Sequence, residues 1–130
     1  SSMFNTPPVF AIYVLGKVLK WMKKKGGLEG IELEANRKAS LLYNAIDESN
    51  GYYDCPVTSA YRSVMNVVFR LPTEKLEEQF LREASAADLV NLKGHRTVGG
   101  CRASIYNAMP MESVAVLTQF MQDFCSRNPT

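Results

Sequence analysis

Histidine is almost missing from this chain: His95 stands alone among 130 residues. Cysteine is sparse as well, with Cys55, Cys101 and Cys125 scattered and no CxxC pair or Cys/His cluster. That leaves no metal-ligand spacing, and an odd thiol count points to free cysteines in a reducing cytoplasm rather than a disulfide framework. No apolar run is long enough to span a bilayer, and the first residues lack a basic-then-apolar signal pattern. Charge of one sign is also lacking. The formal net charge is +2, and no basic block exceeds Lys23-Lys24-Lys25. Neither nucleic acid nor an anionic membrane is implied as a partner. The aromatics Tyr52, Tyr53 and Tyr61 form no obvious base-stacking platform. Repeats and low-complexity segments are absent.

What is present is a soluble composition, 46% hydrophobic and 22% charged, in a chain long enough for a modest core. Thr6-Pro7-Pro8 reads as a helix start, with Thr6 as the cap. The helix runs to about Lys25 and stops at Gly26-Gly27, with three lysines at its negative end. Its apolar residues, including Val9, Phe10, Ile12, Tyr13, Val14 and Leu15, surround the first half. Such a helix needs cover on several sides and implies a missing partner: another domain, another subunit, or both.

Residues 28–48 read as a second helix with Leu28, Ile31, Ala35, Leu42 and Ile46 near one stripe. Asn50-Gly51 ends it. Short strands are expected at 52–53 and 89–92. Clearer ones are expected at 64–71 and 101–106. Met65, Val67, Phe69 and Leu71 alternate onto one face of the 64–71 strand, leaving Asn66 and Arg70 on the other. Pro72-Thr73 leads into a helix with Glu74, Glu77 and Glu78 at its positive end. Pro110 opens a last helix carrying Val114, Leu117, Met121 and Phe124. This order predicts an α/β (α+β) two-layer sandwich: a small mixed or antiparallel sheet of three to four strands, helices on one face, and a long N-terminal helix.

The stretch GHRTVGGCRASIYNAM, residues 94–109, concentrates the chemistry. In the 101–106 strand, Cys101, Ala103 and Ile105 point inward, while Arg102, Ser104 and Tyr106 point outward. His95 and Arg96 follow Gly94 at the end of the preceding segment. If the loop folds back, separate arginines can hold a carboxylate and a phosphate, since a guanidinium offers paired donors to both. His95 would be a third donor. The same arginines also suit solvated surface ion pairs, which contribute little. Lys93 beside such a site invites a Schiff-base reading that spacing alone does not carry.

FNTPPVFAIYVLGKVLKWMKKKGG at 4–27 and LKGHRTVGGCRASIYNAM at 92–109 resemble the phosphoserine aminotransferases, pyridoxal-phosphate enzymes of fold type I. RSVMNVVFRL at 62–71 and MESVAVLTQFMQDF at 111–124 also resemble that family, in the right order. The resemblance implies a parent enzyme that moves an amino group from glutamate to 3-phosphohydroxypyruvate, serving serine and pyridoxine synthesis. It implies that Arg102 binds the substrate α-carboxylate and that His95 and Arg96 help bind its phosphate. Asn5 and Thr6 match an Asn-Thr pair at the cofactor phosphate of the neighbouring subunit of a homodimer. Residues 1–25 would then end the large domain and form the interdomain helix, and 26–130 would be the C-terminal small domain. The family's large domain, with its Schiff-base lysine, is not in this sequence, and Lys93 does not match that lysine. The chain alone is expected to hold no catalytic residue, bind no cofactor or metal, and be inactive. The competing expectation is a stand-alone regulatory module that binds a small anion.

Overall fold

A computed structural model describes residues 4–129. They fall into two compact units, one ending at Leu33 and the other starting at Glu34.

The first unit holds helix α1 (Val9–Lys24) and the opening turns of α2 (Gly27–Asp47). Pro8, not Thr6, occupies the N-cap of α1, and no side chain caps it. The correction follows from proline chemistry. Pro7 and Pro8 have no N–H to satisfy, so Val9 is the first residue able to donate, and it bonds to the Pro7 carbonyl at 2.8 Å. At the other end Lys25 donates to the Trp21 and Met22 carbonyls, and Gly26 and Gly27 turn the chain with φ of 93° and 69°. No residue of α1 is buried, and Phe10 is 80% exposed. Leu28, expected on the inner stripe of α2, is also exposed.

The second unit contains the rest of α2, strand β1 (Asn66–Phe69), α3 (Glu74–Ala86), β2 (Cys101–Ser104) and α4 (Met111–Arg127). The strands pair antiparallel with Val67 opposite Ala103 and Phe69 opposite Cys101. These four side chains are buried, whereas Asn66, Val68, Arg102 and Ser104 on the alternate face are half-exposed. The inward face meets Leu42 and Ile46 of α2, Phe80 and Ala84 of α3, and Val114, Leu117, Met121 and Phe124 of α4 in one core. Burying each large side chain contributes about 1.5–3 kcal/mol. Tyr53, Phe69, Phe80 and Phe124 meet edge-on, with ring centroids 5.2–5.7 Å apart in the sequence Tyr53–Phe69–Phe80–Phe124. The buried Tyr53 hydroxyl donates to the Met121 carbonyl at 2.8 Å, so it is satisfied inside the core.

The second unit is thus mixed α/β, but the sheet among the described residues has two strands rather than three to four. Residues 52–53 and 89–92 form no strand; single bridges lie just after them, Asp54 with Arg70 and Lys93 with Cys101. Backbone geometry explains both shortfalls. Tyr52 and Tyr53 are consecutive and both buried, which a pleated strand with one inner face does not permit. In the 89–92 segment, Asp88 and Asn91 take φ of 61° and 62°, left-handed values that interrupt the pleat. Helix α3 starts as the sequence implies: the Thr73 side chain accepts from the Leu76 N–H at 3.2 Å.

Candidate anion-binding site

The site is built on the loop between the Lys93 bridge and β2. The loop closes on itself. Gly94 N–H donates to the Gly100 carbonyl at 2.8 Å, and Val98 and Gly99 N–H both donate to the His95 carbonyl at 2.9 and 2.8 Å. Two glycines make this closure possible. A Cβ on Gly94 would lie 2.0 Å from the Gly99 carbonyl oxygen. Gly100 combines φ of 66° with an approach that would put a Cβ 2.9 Å from the Phe69 carbonyl oxygen.

His95 and Arg96 lie exposed on this loop. The Thr97 hydroxyl lies 2.8 Å from His95 Nδ1, and the Thr97 backbone N–H donates to the same nitrogen at 3.3 Å. A backbone N–H can only donate, so Nδ1 is the acceptor and the neutral ring carries its proton on Nε2. That orientation presents a donor to an outside partner.

Arg102 follows two residues after the Gly100 closure. Its backbone N–H donates to the Leu92 carbonyl at 2.7 Å, which ties β2 to the start of the loop. The loop therefore folds back on itself, with His95 and Arg96 on it and Arg102 two residues beyond its closure. Arg102 Nε is buried without a hydrogen-bond partner among the described residues. Arg62 Nε is in the same state although its guanidinium is paired with Asp47, so an unpartnered Nε does not by itself mark an anion site. Beside Arg102 on the outward face, Asn66 Oδ1 accepts from Ser104 Oγ at 3.2 Å and from the Tyr106 hydroxyl at 3.5 Å. Inward, Cys101 is fully buried, and burial pushes its thiol up to about 12, with Glu77 adding to the shift. It is an inert thiol next to a cationic site.

Asn5 and Thr6 belong to the first unit and are exposed just ahead of α1. Lys93 is exposed and makes one bridge to Cys101. Two supporting residues escape a reading of the sequence. Lys38 is 0% exposed, and its ammonium donates to the Tyr106 carbonyl at 2.6 Å and the Met109 carbonyl at 3.0 Å. Its place between Ala35 and Leu42 on the inner stripe of α2 is the signal that could have found it. Arg70 donates from Nη2 to the Val98 carbonyl at 2.8 Å. Nothing local marks it, because its partner is 28 residues away.

A separate groove of about 520 Å³ is lined by Leu89, Val90, Ile105, Met109, Val114 and Leu117 among others. Its apolar lining suits no phosphate, and none of His95, Arg96 or Arg102 borders it. The described residues hold no cluster of His, Cys, Asp and Glu able to bind a metal, and no described helix is long and apolar enough to cross a membrane.

Residues 1–117 match the family model of the class-V aminotransferases. The chain belongs to the class-V aminotransferases. Within that family it is 56% identical over 127 residues to phosphoserine aminotransferase of Laribacter hongkongensis, which covers 98% of this chain and 35% of the relative. A solved phosphoserine aminotransferase from Bacillus circulans subsp. alkalophilus superposes with a TM-score of 0.94 at 52% identity, over 98% of this chain and 36% of that one. Another, the pyridoxal-phosphate-bound enzyme from Trichomonas vaginalis, superposes with a TM-score of 0.85 at 40% identity, over 92% of this chain and 34% of that one. This class-V aminotransferase chain thus spans about a third of the length of the relatives it matches.

Proposed function

We propose that this chain is the substrate-gripping C-terminal portion of a phosphoserine aminotransferase. The longer polypeptide moves an amino group from glutamate to 3-phosphohydroxypyruvate, yielding phosphoserine and 2-oxoglutarate for serine and pyridoxine synthesis in the cytoplasm. Residues 1–25 end the large domain and link it to the small domain, residues 26–130. The single observation that carries the reading is the self-closed 94–100 loop, which bears His95 and Arg96 and has Arg102 two residues beyond its closure.

Arg102 takes the α-carboxylate, where paired guanidinium donors fix the orientation of a planar anion. Arg96 and the Nε2–H of His95 take the phosphate. Every amino donor and acceptor carries the carboxylate, so Arg102 serves both half-reactions, and the loop sets which side chain is accepted. Asn5 and Thr6 fit the phosphate of pyridoxal phosphate held by the neighbouring subunit of a homodimer. They bring an amide and a hydroxyl to a helix start whose N–H groups no side chain caps. Once bound, that cofactor supplies the exchangeable amino-group carrier and an electron sink. The exposed apolar surface of α1 is covered by the large domain. The reported relatives are all aminotransferases, which removes support from the stand-alone anion-sensing module.

The test is steady-state kinetics on the full-length polypeptide. Arg102→Lys should raise KM for both glutamate and the phosphorylated keto acid, because both present a carboxylate. Arg96→Met should impair the phosphorylated keto acid far more than a keto acid without phosphate. A full-length protein that carries out no glutamate-dependent amination of 3-phosphohydroxypyruvate would overturn the reading. The 130-residue chain by itself should show no turnover.

A further inference from the structure

Resting on that reading of the loop, we infer that Arg70 is a positioning residue for the phosphate subsite. It braces the segment that presents His95 and Arg96 and does not itself grip the substrate.

The argument begins at its backbone. Arg70 follows β1 directly, and its N–H and carbonyl both bond to Asp54, at 2.8 and 3.0 Å. The root of the side chain is therefore fixed to the sheet. Its stem then runs alongside the base of the loop. A Cβ built on Gly100 would come within 3.0 Å of Arg70 Cγ, so glycine leaves the space that the stem passes through. The tip reaches the far side of the loop, where Nη2 donates to the Val98 carbonyl at 2.8 Å. One side chain thus spans the loop from Gly100 to Val98.

Val98 is a consequential point to hold. Its own N–H donates to the His95 carbonyl at 2.9 Å. Val98 links Arg70 through its carbonyl to His95 through its N–H, and Arg96 and Thr97 lie between His95 and Val98. The sheet sets the position of Arg70, Arg70 sets Val98, and Val98 sets the turn from which the two anion donors project. A guanidinium bonding a carbonyl is a charge-assisted contact, stronger than the neutral bonds inside the loop.

The experiment compares Arg70→Lys and Arg70→Met in the full-length, cofactor-loaded enzyme, with Arg96→Met as reference, and adds amide hydrogen exchange of Val98 and Gly99 without substrate. Lysine keeps a donor one atom short of the Arg70 tip, and methionine keeps the stem without a donor. Arg70→Met should raise KM for the phosphorylated keto acid about tenfold, the factor one charge-assisted hydrogen bond carries. Its kcat should change far less, Arg70→Lys should recover much of the KM, and the Val98 and Gly99 N–H groups should exchange faster in Arg70→Met. A raised KM with exchange at Val98 and Gly99 unchanged would mean that the charge of Arg70 binds the phosphate directly, which overturns the positioning role. An unchanged KM in Arg70→Met, with Arg96→Met impaired, would also overturn it while leaving the phosphate subsite standing. If Arg96→Met is unimpaired too, the subsite itself fails and the inference falls with it.

Discussion

Replacing Lys38 by methionine tests the supports beneath the site. Methionine keeps most of the stem volume in the core and removes the donors that hold the Tyr106 and Met109 carbonyls. Net loss of a hydrogen bond to a charged group costs about 1.5–3 kcal/mol. The upper sum for two bonds is lowered because Tyr106 and Met109 are exposed residues, so water can reach part of what is uncovered. Removing a buried ammonium also relieves its desolvation. A cost of about 2–4 kcal/mol results, which in a chain of this size lowers Tm by roughly 10 °C. Lys38→Ala should cost about 2 kcal/mol more, because it also leaves a cavity where the stem lay. Urea denaturation with an unchanged m-value gives the difference directly. Destabilisation of Lys38→Met by less than about 0.5 kcal/mol would refute the reasoning, since two charge-assisted bonds in the core cannot be lost so cheaply.

Gly94→Ala should lower affinity for the phosphorylated keto acid by at least about tenfold with a stability loss of only about 1–2 kcal/mol, because it breaks an exposed loop closure. Isothermal titration and thermal melts on the full-length protein separate the two effects. Cys101 should resist a disulfide exchange reagent in the native protein while Cys55 and Cys125, half-buried, react; a count of three fast native thiols would contradict its burial. The raised Cys101 value, about 12 against 9.0 unfolded, stabilises the fold fully below pH 9. That contribution should fade between pH 9 and 12, as the unfolded thiol ionises first. The isolated 130-residue chain should self-associate through α1, and Phe10→Glu with Tyr13→Glu should reduce this in sedimentation experiments; a wild-type chain that stays monomeric at high concentration would contradict it.

The helices were legible because each carries its own local signals. The Thr73 cap, the Gly26-Gly27 stop and the stripe through Ala35, Leu42 and Ile46 all lie within a few residues of the feature they explain. The strand alternation was legible too, and Cys101, Ala103 and Ile105 do face inward. The sheet edges were not. Tyr52-Tyr53 and 89–92 have strand-like residues, but the double burial of the tyrosines arises from tertiary packing, and left-handed Asp88 ends α3 locally, with the Leu89 N–H on the Ala84 carbonyl at 2.9 Å. His95, Arg96 and Arg102 stood out because cations on a glycine-rich loop are conspicuous. Arg70 did not, since its hydrogen-bond partner Val98 lies 28 residues away on the loop.

The self-closure of the 94–100 loop has a thermodynamic consequence. Fixing the backbone of a flexible residue costs about 1–2 kcal/mol, and a loop that ordered only around its ligand would subtract that cost from affinity. Here the bonds Gly94 to Gly100 and Val98 to His95 join the loop's own backbone and use no ligand atom. On the proposed reading of the site, order that rests on those internal bonds belongs to folding and is not subtracted from the affinity for an anion.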